Sequence, residues 1–282
     1  MSEQSFAAKY GPWALVAGGS EGIGKSFAAL LAAQGIHLIL VARNAESLGE
    51  TAAEIRGRFT VQVQTAALDL TAADLEQKIE ALCAGKDIGM LIYNAGATHG
   101  VGFFLEQPVE RAMNLVRLNC VGPVMLVHKL GNRMKQRGRG GIILMSSMSG
   151  LAGGGFVAAY GATKSFEITL AEALWFELGT VGVDMLGLIA GATLTPAMAR
   201  SGAKFGSPGE QNSSGPNIVP MESDEVASEA LAQLGKGPVW VAGEKNRQAA
   251  KWLRGAPREQ IVPAMSAAAA QLYELPLPRF RS

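Results

Sequence analysis

A chain of 282 residues that is 48% hydrophobic and 17% charged has enough apolar surface for a large folded core and is not disordered. Its 25 Lys and Arg against 24 Asp and Glu leave a net charge of +1, which argues against a nucleic-acid binder held by bulk charge. Cys83 and Cys120 have neither metal-ligand nor disulfide-framework spacing, the opening MSEQSFAAKYGPW has no signal-like apolar segment, and no 18-residue apolar run is present, so a cytoplasmic protein without a membrane span is expected.

Residues 13–17 (WALVA) are a short apolar run ending in glycine, and 22–34 carry helical periodicity. Residues 37–42 (HLILVA) predict a buried strand, 45–58 a helix, 61–67 a strand, 72–84 a helix and 88–93 (IGMLIY) a strand. A helical stretch follows over 109–136, bent at Gly122 and Pro123. Then come a strand over 141–147, a helix over 157–179 and a strand over 183–190. Near-continuous apolar strands alternating with helices predict an α/β fold, a Rossmann-type doubly wound parallel sheet of about seven strands with helices on both faces.

The texture changes after Gly191. Residues 201–220 (SGAKFGSPGEQNSSGPNIVP) are rich in Gly, Ser, Pro and Asn, and predict a flexible substrate loop within 196–221. Ser223 is the expected N-cap of a helix through Leu234, and 238–242 make a last short strand. Residues 1–243 thus form one domain, with 244–282 as its helical C-terminal extension, placed either at an interface or over the site.

Gly18, Gly22 and Gly24 stand between the first strand and the first helix. Glycine there permits a tight turn and close backbone approach, and the helix N-terminus offers unpaired N–H groups to phosphates, so nucleotide binding is expected. The second strand ends Val41-Ala42-Arg43, without the acid that would hold a ribose 2′-hydroxyl. Arg43 can instead meet a 2′-phosphate, which favours NADP(H) over NAD(H); the alternative is a solvated arginine opening a helix. Tyr160 and Lys164 lie one helical turn apart on one face. The lysine charge favours the phenolate of a group whose ordinary pKa is about 10, and so brings it toward general acid–base chemistry.

Seven stations appear in order: AGGSEGIG (17–24), Asp69-Leu70, YNAG (93–96), Asn119 in LNCVG, Ser147 in LMSS, YGATK (160–164) and IAGATLT (189–195). Over about residues 10–242 the chain resembles the classical short-chain dehydrogenases/reductases. Its opening GPWALVAGGSEGIGKSFA, with VAR after it, resembles the 17β-hydroxysteroid and 3-ketoacyl-CoA reductase branch, which favours NADPH. The resemblance implies an NADP(H)-dependent oxidoreductase that interconverts a ketone and a secondary alcohol without a metal. Tyr160 is then the general acid of reduction, Lys164 lowers its pKa and binds the nicotinamide ribose, Ser147 polarises the carbonyl, and Asn119 holds a water linking Lys164 to solvent. Gly18, Ser20, Gly22, Ile23 and Gly24 would carry the pyrophosphate, and Asp69 with Leu70 the adenine. Asn94, Ala95 and Gly96 would lie along the adenosine ribose, with Thr193 and Thr195 near the carboxamide or phosphates. A homodimer or homotetramer through the helices over 109–136 and 157–179 is also implied.

Each role has a plainer rival: Asn119 bonding backbone, Ser147 capping a strand end, Asp69 capping the helix near residue 72. Cys120 reads as a packed neighbour of Asn119, and His37, His99 and His128 as structural or surface residues, with substrate contact by His99 the alternative. Three positions depart from the family pattern: Ala17 replaces a bracing threonine, Ala190 replaces a proline, and Glu21 places a negative charge where it would oppose a 2′-phosphate. Gly153–Gly155 with Met145, Met148 and Phe156 suggest room for a bulky hydrophobic ketone or alcohol; the alternative is a turn that only joins strand to helix. A non-catalytic NADP(H)-binding sensor or scaffold and an NAD-dependent alcohol dehydrogenase of the same fold stay open.

Overall fold

The computed structural model describes residues 5–96, 101–204 and 218–279. His99 and most of the glycine- and serine-rich segment lie outside them. The strands in chain order are β1 (Trp13–Ala17), β2 (His37–Ala42), β3 (Val63–Ala67), β4 (Ile88–Tyr93), β5 (Gly140–Ser147), β6 (Val183–Ala190), β7 (Thr193–Leu194), β8 (Met221–Glu222) and β9 (Val239–Val241). Seven of them form one parallel sheet in the order β3-β2-β1-β4-β5-β6-β9, while β7 and β8 pair separately. β2 and β4 are buried along nearly their whole length, because both faces of the sheet are covered.

The helices are α1 (Phe6–Tyr10), α2 (Gly22–Ala33), α3 (Ala45–Arg58), α4 (Leu75–Cys83), α5 (Val109–Val116), α6 (Gly122–Arg137), α7 (Ala158–Gly179), α8 (Pro196–Arg200), α9 (Ser223–Gln233), α10 (Glu244–Gly255) and α11 (Arg258–Leu272). Alternate residues of β1 feed two cores. Ala14 and Val16 pack with Phe27, Leu31 and Val226 from α2 and α9. Leu15 and Ala17 pack with Leu75, Ile79, Leu126 and Leu130 from α4 and α6. This two-residue alternation gives the doubly wound, Rossmann-type architecture. The strand order reverses between β1 and β4, which opens a crevice at their C-terminal ends.

Several boundaries differ from expectation. Between α5 and α6 the chain makes a π-helical turn at Arg117–Val121, just before the predicted bend. Gly122 is needed there because a Cβ would run into the Tyr93 hydroxyl. α9 is capped by Glu222, in a reciprocal capping box with Glu225, rather than by Ser223. Ser223 is the first helical residue and donates its hydroxyl to the Leu194 carbonyl at 3.0 Å. The first part of the predicted substrate loop is the short helix α8, started by Pro196 and capped by Thr195, whose Oγ1 accepts from Met198 N at 3.0 Å. The tail helices fold back onto the sheet edge. Ile261 packs with Ala152 and Leu253, and Ala269 and Ala270 pack with Phe156.

Candidate active site

A cavity of about 1880 Å³ runs along the C-terminal ends of the strands. Of the predicted site residues, all but Gly24 and Asn119 line it. At one end, register places Ala17 beside Tyr93, so the chain leaving β1 meets the chain leaving β4. Asn94 Nδ2 donates to Gly18 O at 3.0 Å. Gly18 has φ +82°, and a Cβ on it would stand 2.8 Å from Ala95 N. A Cβ on Gly24 would strike the Gly18 carbonyl, so Gly24 sets how closely α2 approaches the turn and is itself buried. Glu21, the N-cap of α2, makes no side-chain cap hydrogen bond. The first-turn N–H groups at Gly22 and Ile23 thus stay open to an anion from the cavity. Arg43 opens onto the same cavity. These are the features a dinucleotide phosphate requires, and the residues present fit one.

Asp69 accepts from Thr71 N at 2.9 Å and Thr71 Oγ1 at 2.8 Å. These bonds, with a smaller contribution from Arg43, hold its carboxyl below the usual range. It closes a turn and does not cap α4, which begins only at Leu75. Glu21 also differs from expectation. Its carboxylate is held by both terminal nitrogens of Arg200 from α8, with Nη1–Oε2 at 3.0 Å, so its charge is matched rather than free to oppose a phosphate. Thr193 is buried and donates to Gly191 O at 3.1 Å.

The polar centre lies at the start of α7. Tyr160 is half-buried on the cavity wall, which Ser147 also lines. Lys164 Nζ lies 5.8 Å from the centre of its ring. Burial raises the phenol above its ordinary range, while Lys164 and Ser147 pull it down; the net direction is up, against the simple expectation from the Tyr–Lys pair. Lys164 donates to Met145 O at 2.7 Å and to both Glu167 oxygens at 2.8 and 3.1 Å. Burial pulls its ammonium down, but the charges of Glu167 and Tyr160 outweigh that and raise it. Asn119 sits in the π-helical turn, fully buried, and donates to Thr163 Oγ1 at 2.9 Å rather than to backbone. Its Oδ1 is buried with no protein hydrogen-bond partner. A Cβ on Gly96 would lie 3.0 Å from Lys164 Nζ and 3.4 Å from that Oδ1, so both atoms lie beside Gly96.

Sequence reasoning did not single out Ser146, Thr163 or Glu167. Ser146 Oγ donates to Lys164 O at 2.7 Å, and Thr163 Oγ1 donates to Tyr160 O at 2.8 Å. Both were within reach of the period-3.6 reading of α7 and the end of β5. Cys120 is partly buried, and burial pushes its thiol up to about 11, as a packed neighbour rather than a nucleophile. His37 accepts from Gln62 N and stacks edge-on against Trp13, while His128 bonds Asn132.

The opposite wall is apolar, formed by Met198, Val219, Trp252, Leu253, Met265 and Leu272. Much of it belongs to α10 and α11. Gly154 and Gly155 do not clear space for a ligand: Cβ atoms there would lie 3.1 Å from Met265 Cβ and 3.2 Å from Ser266 Oγ, so they admit α11. Gly155 N donates to Ser266 Oγ at 2.7 Å, and Arg258 donates to Leu151 O at 3.2 Å. Phe156 adopts φ +66°, uncommon for a bulky residue, with its ring 4.9 Å from that of Phe103.

Residues 12–205 match the family described as short chain dehydrogenase. A 7beta-hydroxysteroid dehydrogenase of Clostridium sardiniense is 30% identical over 260 residues, 92% of this chain and 95% of that protein. A very-long-chain 3-oxoacyl-CoA reductase of Laccaria bicolor is 34% identical over 178 residues, 62% of this chain and 53% of that longer protein. A short-chain dehydrogenase from Sphingobium yanoikuyae, solved in complex with NADPH, superposes with a TM-score of 0.73 at 31% identity, covering 86% of this chain and 91% of that one.

Proposed function

The chain belongs to the short chain dehydrogenase family of oxidoreductases, acting on CH–OH groups, and from that premise we propose that it interconverts a bulky hydrophobic ketone, steroid-like in size, and its secondary alcohol with NADP(H). The observation that carries this reading is the grouping of Ser147, Tyr160 and Lys164 on the wall of the cavity that also holds the glycine turn.

Bound at that turn, the nicotinamide nucleotide supplies or accepts the hydride. The chain does the rest. The first-turn N–H groups of α2 hold the pyrophosphate, and Arg43 meets the 2′-phosphate with charge-assisted hydrogen bonds. Ser147 Oγ donates to the substrate oxygen, where negative charge develops on reduction. Tyr160 Oη gives its proton to that oxygen, or takes it back in oxidation. The positive charge of Lys164 lowers the free energy of the phenolate left behind. Asn119 Oδ1, buried beside Lys164 Nζ with no protein partner, suits a water that returns the proton from solvent. The apolar wall from α10 and α11 suits a rigid hydrophobic skeleton and excludes water from the polar centre.

Support for NADP(H) comes from Arg43, from Ala42 in place of an acid, and from the NADPH complex of the Sphingobium relative. Support for a steroid-sized ketone comes from the hydroxysteroid dehydrogenase relatives and the tail-built wall. Exposed Val109, Met113 and Val116 of α5, together with Phe166 and Phe176 of α7, suit association with a second copy in a homodimer or homotetramer. No described helix is long and apolar enough to cross a membrane; a cytoplasmic location is part of the proposal.

The test is fluorescence titration with NADPH and NADH, followed by ketone-dependent oxidation of NADPH on a panel that includes 7-oxo steroids. Tight NADPH binding with turnover is the expected result. Binding without turnover on any ketone would favour a sensor, and preference for NADH would overturn the role given to Arg43.

A further inference from the structure

Glu167 is the only fully buried carboxylate among the described residues, at 0% exposure. It lies on the inner face of α7, and the proton transfer by Tyr160 and Ser147 makes no use of it. A buried ion pair is weak support for a fold, because apolar residues of the same volume commonly serve as well or better. Its presence behind the polar centre therefore calls for a chemical reason.

That reason lies in where it holds Lys164. An ammonium has three donors, and here all three are engaged: two by the Glu167 oxygens at 2.8 and 3.1 Å, one by Met145 O at 2.7 Å. The head group is thus pinned from behind. At the same time a negative charge stands against the positive charge that stabilises the Tyr160 phenolate. We propose that Glu167 is a positioning residue that fixes Lys164 Nζ and, by offsetting its charge, sets the pH at which Tyr160 exchanges its proton. The inference rests on the roles given above to Tyr160 and Lys164.

The groups facing Glu167 are Lys164 and Tyr160 on its own helix, Tyr93 from β4 and Cys120 from the π-helical turn. Tyr93 donates to Leu118 O at 2.6 Å, and burial raises both it and Cys120, so each stays neutral near pH 7. Burial also pushes Glu167 up to about 7, against the pull of Lys164. Once ionised, Glu167 weakens the positive field at Tyr160 and raises the phenol. Reduction, which needs the phenol, then persists to higher pH, and oxidation, which needs the phenolate, begins at higher pH. Removing the charge reverses both.

The experiment uses the full chain, measuring ketone reduction and alcohol oxidation between about pH 5 and 10. Glu167→Gln should move the midpoints of both limbs toward acid by up to about one pH unit, since its charge reaches Tyr160 from behind Lys164, whose Nζ is 5.8 Å from the ring centre. Glu167→Asp, which keeps the charge, should leave the midpoints near wild type while lowering kcat through a looser hold on Lys164. Glu167→Met gives the same acid-ward shift if the buried amide is not tolerated. Midpoints unmoved in the folded variants, or moved toward alkali, overturn the inference and leave Glu167 a structural partner only. Tyr160→Phe is the control: if it turns over like wild type, the reading of the active site fails; if it is inactive while Glu167→Gln is unmoved, only the role of Glu167 fails.

Discussion

The two ends of the cavity are built in different ways. The nucleotide end is made of backbone: a glycine turn, the start of α2 and strand ends brought together by parallel register. The substrate end is made of side chains from α10 and α11, held to the β5–α7 turn by bonds that join residues 107 and 111 positions apart. One end asks for conformations that few residue types allow, and the other for apolar volume that many can supply. The nucleotide end should therefore respond to substitution through phosphate affinity, and the substrate end through shape, with the polar centre of α7 serving both.

The largest effect should come from that centre. Tyr160→Phe keeps the ring but removes the proton, and kcat should fall about 10²–10⁴-fold with NADPH affinity unchanged, read by steady-state kinetics and fluorescence titration. Loss of cofactor binding instead would erase the division of labour. Next is Arg43→Ala. Losing its charge-assisted bonds should weaken NADPH binding roughly 10- to 100-fold, since such bonds contribute about 1.5–3 kcal/mol, while NADH affinity and the ketone KM hold steady. Gly154→Leu probes the other end. Its added bulk meets Met265 and should shift α11 at a strain of about 1–3 kcal/mol, raising KM for bulky ketones roughly tenfold but not for small ones. If NADPH affinity fell equally, the ends would be mechanically one. The smallest effect belongs to Arg200→Ala, which removes the largely exposed arginine from the part-buried Glu21 carboxylate. Exposed pairs are worth about 0–1 kcal/mol, so NADPH binding should weaken by no more than about fivefold, and less at high salt.

How far each feature was legible follows the same division. The sheet was readable because buried parallel strands are apolar throughout, as in IGMLIY of β4. The glycine turn was readable because only glycine tolerates φ +82° at Gly18 and the contact at Gly24. The π-helical turn at Asn119 was not, since Gly122 and Pro123 announce a break but not the extra residue that turns Asn119 inward. Ser223 looked like a cap by residue type, yet Glu222 forms the capping box because the helix starts one residue earlier, at Ser223 itself. Gly153–Gly155 looked like space beside a substrate, and two of them proved to be the seat of α11.

By itself the sequence determined the parallel α/β fold, its family, and the positions of Ser147, Tyr160, Lys164 and the glycine turn. Local periodicity and backbone-restricted residues write those features into short segments. Only the tertiary structure decided that the tail closes the substrate wall, that Arg200 matches Glu21, and that a glutamate one turn past Lys164 lies wholly out of water. Those depend on which helix face is covered and by what, and burial by distant segments leaves no mark on a residue's neighbours in the chain.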